Sequence, residues 1–138
     1  MAHTRLRKFN TSVTYPEQNL DNDLSQVVIT RGGSTVWMRG QCPQDLDTAK
    51  TIESRDPAEQ THKVMQNIKQ LVEEAGGRMD HIVKLVVYLT DIRHREAVYR
   101  TMGQYINGVH PVCTGVTVVA LARPDWLVEI DATAVIPD

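Results

Sequence analysis

The chain has 138 residues, a formal net charge of −2 and two cysteines. That length suits one domain with a core of ordinary size, and 1–138 reads as a single unit with residues 1–24 as its N-terminal strand and loop. A near-neutral charge and a single phenylalanine argue against a nucleic-acid partner, which would need a basic patch and stacking aromatics. No run of about 18 apolar residues exists for a membrane span, so no membrane partner is expected. The start, Met1-Ala2-His3-Thr4-Arg5, lacks the apolar core of a signal peptide. Cys42 and Cys113 are too few for a disulfide scaffold, so a cytoplasmic protein with reduced thiols is expected.

In chain order, residues 4–9 suggest a first strand and residues 10–24 a polar loop punctuated by Pro16, Asn19, Asp21 and Asn22. Gln26–Thr30 and Thr35–Arg39 are short β-branched runs. Between them Arg31-Gly32-Gly33-Ser34 predicts a hairpin turn, because glycine tolerates positive φ. Pro43 removes a ladder donor after the second run. Asp56-Pro57-Ala58-Glu59 is a helix start, with a capping residue, proline at the first helical position and an acid three residues after the cap. Val64, Ile68, Leu71, Val72 and Ala75 then define one apolar face, and Gly76-Gly77 ends the helix.

His81–Thr90 is nearly apolar throughout, which predicts a central strand. Asp91 caps a second predicted helix over 92–107, with Ala97, Val98, Thr101, Met102 and Tyr105 inward. Gly108 closes it and Pro111 restarts an extended chain. Two strands are predicted over 114–121 and 127–136, joined by Ala122-Arg123-Pro124-Asp125. In the second, Val128, Ile130, Ala132, Ala134 and Ile136 share one face. Amphipathic helices need a sheet to cover, so the fold class is α+β, a two-layer sandwich with a mixed sheet and two helices on one face. The other sheet face is half apolar and left bare, which predicts burial against copies of the same chain.

The last third of the chain carries the chemistry. Cys113, Thr114 and Glu129 are a thiol, a hydroxyl and a carboxyl near the starts of its two strands, and they would share one cleft if those strands pair. The histidines at 3, 62, 81, 94 and 110 show no metal spacing. No metal and no cofactor are implied.

The chain resembles the RidA/YjgF family of enamine and imine deaminases. Ser25-Gln26, Gly40-Gln41-Cys42-Pro43, Gln60–Leu71, Glu74-Ala75-Gly76-Gly77, Ile82-Val83-Lys84, Val87–Asp91, Pro111 and Glu129-Ile130-Asp131-Ala132 carry the resemblance in that order. It implies a chorismate-mutase-like β-α-β-α-β-β fold, a homotrimer, and clefts between subunits that take a small-molecule substrate. It implies that Glu129 positions the hydrolytic water, with a surface carboxylate as the alternative. Family deaminases hold the substrate carboxylate with an arginine two residues after the proline matched by Pro111. Here that residue is Cys113, and the tyrosine many relatives place before Ser-Gln is Leu24.

Cys113 has three readings: a catalytic nucleophile, a hydrogen-bond donor lining the cleft, or a packed small hydrophobe. Arg39 stands where relatives usually have a small residue. Its fork could bind a carboxylate in place of the missing clamp, or it could form a salt bridge or remain solvated. Thr114 and the Gly115 backbone are candidate donors to a ligand, and Gly40 either leaves room for one or forms a turn. The expected activity is hydrolysis of an enamine, imine or related carbonyl–nitrogen compound by water attack. The alternative is a non-catalytic small-molecule-binding trimer, a sensor or carrier.

Overall fold

A computed structural model describes residues 3–138. Strand β1 (Thr4–Asn10) leads into a one-turn helix, α1 (Thr11–Thr14), whose cap is the Asn10 side chain accepting from the Ser12 amide at 2.9 Å. Strand β2 follows at Asp23–Ile29 and lies antiparallel to β1. The segment read as a continuous loop over 10–24 therefore contains a helical turn, and its strand begins three residues before Gln26.

The expected hairpin across Gly32-Gly33 does not form. Strand β3 (Ser34–Trp37) pairs antiparallel with β6 (Val128–Ile136), from Ser34 opposite Ile136 to Trp37 opposite Thr133. Gly32 and Gly33 both have positive φ, at 61° and 74°, and a Cβ on Gly33 would strike the Ile136 carbonyl. The glycines carry the chain from the β1–β2 ribbon onto the end of β6 instead of folding it back on β2.

Helix α2 (Pro57–Glu74) starts as its sequence dictates, with the Asp56 carboxylate accepting from the Glu59 amide at 3.0 Å. Val64, Met65, Ile68 and Val72 are fully buried, each contributing roughly 1.5–3 kcal/mol of gross burial. Leu71 is half-buried and Ala75 exposed, so the buried face is rotated slightly from the expected one. Gln60, fully buried, donates to the Ser54 and Asp125 carbonyls and accepts from the Leu127 amide at 2.8 Å. It thereby fixes the chain immediately before β6.

Strand β4 (Ile82–Leu89) is central as expected, with Ile82, Leu85, Val87 and Leu89 buried. A 3-10 turn at Ile92–His94 precedes helix α3 (Arg95–Gly103), and Asp91 caps the turn through the Arg93 amide. The helix stops four residues short of the expected end. Gly103 sits against the Asp21 carbonyl with no room for a Cβ, and the Asn22 side chain donates to the Tyr99 carbonyl at 2.6 Å.

Strand β5 (Val112–Thr117) is shorter than expected, and it does not pair with β6. The four-stranded sheet runs β3-β6-β4-β5, with β4 and β5 parallel and the other pairs antiparallel. The Ser25 amide donates to the Pro111 carbonyl at 3.0 Å and ties the β1–β2 ribbon to this edge. Helices α2 and α3 pack on each other and cover one sheet face, giving the two-layer α+β arrangement with a mixed sheet. On the opposite face Trp37 is 80% exposed and Val116 42% exposed.

Candidate functional site

The β6 register fixes which side chains share the uncovered face. Ile130 lies opposite Val87 and Ala132 opposite Leu85, all buried under the helices. Glu129 and Asp131 therefore project to the other side, beside Tyr88 and Val86 of β4. The chain after β3 is pinned to this strand by a two-bond bridge. The Gln41 amide donates to the Ile130 carbonyl at 2.9 Å and the Ile130 amide to the Gln41 carbonyl at 3.0 Å.

That bridge lays Gly40-Gln41-Cys42 against Glu129. The Cys42 thiol donates to Glu129 Oε1 at 3.2 Å. A Cβ on Gly40 would collide with Glu129 Oε2 and press on Asp131 Oδ1, so a side chain here would push both carboxylates out of their present positions. The Tyr88 hydroxyl donates to Asp131 Oδ2 at 3.3 Å, and the charge on Asp131 raises the tyrosine's pKa. Asn67 of α2 donates to the Cys42 and Gln44 carbonyls at 3.3 and 2.8 Å. Cys42 is 5% exposed. Burial, followed by the bond to Glu129 and the charges of Glu129 and Asp131, pushes its thiol up to about 12, against the opposing charge of Arg39. Cys42 is therefore a proton-bearing donor near neutral pH.

Arg39 is exposed and forms no ion pair among the described residues. A cavity of about 430 Å³ opens beside it, lined by Gly40, Cys42, Leu46, Leu71 and Ala75 among others. Glu129 is not part of that lining. A second hollow of about 440 Å³, bounded by Trp37, Met38, Lys84, Val86, Asp131 and Thr133, lies on the uncovered face where Glu129 projects.

Cys113 and Gly115 are elsewhere. They pair with Leu85 and Val87 on the helix-covered face, whereas Thr114 pairs with Val86 on the uncovered one. The Cys113 sulfur lies 3.9 Å from the Tyr99 hydroxyl, and a Cβ on Gly115 would collide with that oxygen. Burial pushes the Cys113 thiol up to about 11, offset in part by the tyrosine bond and the charge of Arg95. The Arg95 guanidinium stacks 4.1 Å from the Tyr99 ring centroid and 5.2 Å from that of Tyr15, while its Nε donates to Gln18 at 2.9 Å.

One chain thus holds two groups of residues. Arg39, Gly40 and Glu129 come together on one side, joined by Cys42, Asp131 and Tyr88. Cys113 and Gly115 meet Tyr99 and Arg95 on the other. Because β4 stands between β5 and β6, Cys113 and Glu129 are two strands apart, offset by three residues along β4 (Leu85 against Tyr88) and on opposite faces. A cleft shared by paired final strands does not exist within the chain. The sequence does not single out Cys42, Asp131, Tyr99 or Arg95. Asp131 follows Glu129 at the two-residue strand period and was within reach of pattern reasoning. The role of Cys42 depends on a bridge between segments almost ninety residues apart.

The chain's sequence and fold are those of a known class. The family described as Endoribonuclease L-PSP matches residues 17–136. A RutC family protein of Pyrococcus abyssi is 33% identical over 102 residues, 74% of this chain and 79% of the relative. Protein DfrA of Myxococcus xanthus is 34% identical over 111 residues, 80% and 83% of the two chains. A YjgF family structure from Neisseria meningitidis superposes with a TM-score of 0.67 at 29% identity, over 83% of this chain and 87% of that one. The Rid family protein YyfB of Yersinia pestis shares the fold across 99% of this chain and 100% of its own, with a TM-score of 0.79 at 24% identity. The chain belongs to the RidA/YjgF family.

Proposed function

We propose that this protein is a RidA-like hydrolase that deaminates a small enamine, imine or related carbonyl–nitrogen compound in a cleft between subunits of a homotrimer. The observation that carries the reading is the Glu129 carboxylate. Oε1 is held by the Cys42 thiol, while no donor among the described residues bonds Oε2. In the reaction, water attacks the C=N carbon as a carboxylate oxygen takes its proton. A C–O bond forms and the π pair moves to nitrogen. The proton returns to nitrogen to give a carbinolamine. The carboxylate then takes the hydroxyl proton and passes it to nitrogen, so that the C–N bond breaks as the C=O bond forms and ammonia leaves.

The separation of the two residue groups supports a composite cleft. Thr114 and Gly115 are exposed on β5, one edge of the four-stranded sheet, and Arg39 and Gly40 follow β3 at the other edge. A neighbouring subunit that docks one edge beside the other completes the site. Both thiols are protonated near neutral pH, so Cys113 serves as lining and not as nucleophile. Arg39 and Arg95, which form no ion pair among the described residues, are the arginines nearest the two residue groups and would anchor an acid group on the substrate.

The test is ketoacid release from a short-lived 2-imino acid. Glu129→Gln keeps the shape but removes the base. It should abolish turnover while the melting temperature moves by only a few degrees. Undiminished turnover in the folded variant removes Glu129 from the reaction. Ligand-dependent melting with no turnover in wild type supports a sensor or carrier.

A further inference from the structure

We propose that Cys42 is a positioning residue for Glu129, its thiol donating to Oε1 so that Oε2 is the oxygen left to move protons. What Oε2 does rests on the hydrolytic reading above; the contact stands on geometry alone. The donor–acceptor distance is 3.2 Å, and no second donor to Glu129 is present among the described residues. Cys42 has little access to water, so solvent does not compete for its proton.

The thiol itself is held from two sides. Asn67 fixes the Cys42 carbonyl from α2, and the Gln41–Ile130 bridge fixes the preceding residue to β6. The carboxylate has Cys42 on one oxygen and the Gly40 backbone against the other. A glutamate has three rotatable side-chain bonds, and a side chain that must present one oxygen reproducibly needs such restraint. Serine would serve the same geometry, and alanine would not. The thiol keeps its proton across the physiological range, so the bond persists wherever Glu129 is ionised.

Two measurements test this. In Cys113→Ser protein, Cys42 carries the only thiol, and its infrared S–H stretching band reports its acceptor. The band should lie at the low frequency of a thiol bonded to a carboxylate and should shift upward when Glu129→Gln is added. A band unmoved by that change overturns the contact. Against the Cys113-containing wild type, Cys42→Ala should lower kcat for ketoacid release roughly 5- to 10-fold, the worth of one weak hydrogen bond to a charged group. KM should stay within about twofold, because only the reacting geometry is disturbed. Cys42→Ser should recover most of the loss.

Unchanged kcat in folded Cys42→Ala, with Glu129 still essential, overturns the positioning role and leaves the hydrolytic reading intact. No turnover in wild type, together with a shifted band, overturns the hydrolytic reading and the catalytic part of the proposal, and leaves the Cys42–Glu129 contact standing. If Cys42→Ala does not fold, folded Cys42→Ser decides. Near-wild-type turnover supports the role, and a loss larger than tenfold overturns it.

Discussion

Cys113 stands where the resemblance implies an arginine, and the structure sets its thiol beside the Tyr99 hydroxyl. Burial raises Cys113 to about 11, so about one molecule in a thousand is thiolate at pH 8. Iodoacetamide should therefore label it slowly, with a rate that climbs about tenfold per pH unit until the thiol titrates. Rapid labelling at neutral pH would contradict the raised thiol pKa in this half-buried setting beside Tyr99. Cys42 and Cys113 both bind protons more tightly folded than unfolded. Their stabilisation is complete below the ordinary thiol value of 9.0 and is lost as pH rises toward 11 and 12. The free energy of unfolding, followed by urea titration, should fall across that alkaline window. A neutral thiol also cannot replace a bidentate arginine clamp. Loss of about 1.5–3 kcal/mol of charge-assisted bonding predicts roughly 10- to 150-fold lower kcat/KM on the simplest 2-imino acids. Cys113→Arg should recover part of it. If wild type matches an arginine-bearing relative, another side chain holds the acid group, and parallel Arg39→Ala and Arg95→Ala variants identify which.

Elements whose cues are local were legible in the sequence, and elements defined by their partners were not. Asp56-Pro57 and the spacing of Val64, Ile68 and Val72 specify α2 without reference to the rest of the chain. An apolar run from Ile82 to Leu89 specifies a strand buried in the middle of a sheet. Nothing local to Ser34–Trp37, however, distinguishes β2 from β6 as its partner, and two glycines permit either path. The same limit hid the site. Glu129, Gly40 and Arg39 were legible as candidates, but placing Cys113 on the opposite face required knowing that β4 separates β5 from β6. The two glycines at the site give a paired prediction at this scale. Gly115→Ala drives a methyl into the Tyr99 hydroxyl between α3 and β5. It should cost about 1–3 kcal/mol of stability, as overpacking does, with a lowered melting temperature. Gly40→Ala pushes instead on the Glu129 and Asp131 carboxylates, the free ends of flexible side chains. Its larger effect should be on turnover. A Gly40→Ala protein with full activity would show that the Gly40–Glu129 approach is not part of the working site.

At the scale of the whole molecule, the proposed trimer accounts for both the uncovered sheet face and the two separate residue groups. Trp37 and Val116 are large, apolar and exposed on that face, and Val86 lies half-buried between their strands. Thr133, Asp131 and Tyr88 lie among them, and exposed apolar side chains on a sheet face that no helix covers fit an interface between copies of the chain, a stable one burying about 1,000 Å² or more. Light scattering should give a mass near three times the 15.5 kDa chain. Val116→Asp places a charge at the open face of β5 without touching the helix-side core, since Val116 pairs outward beside Tyr88. Buried against a second subunit, an unpaired carboxylate is strongly unfavourable, so the variant should be a folded monomer with a normal helical spectrum. Turnover should then fall to background, because Cys113, Thr114 and Gly115 of one subunit no longer meet Glu129 of another. Mixing this variant with excess Glu129→Gln protein adds a sharper control. Any mixed trimer that forms offers intact β5 edges from the second chain to intact Glu129 from the first, and activity should reappear in proportion to it. A monomeric Val116→Asp protein that retains full turnover per chain would mean that each subunit carries a complete site, and the composite cleft would have to be abandoned.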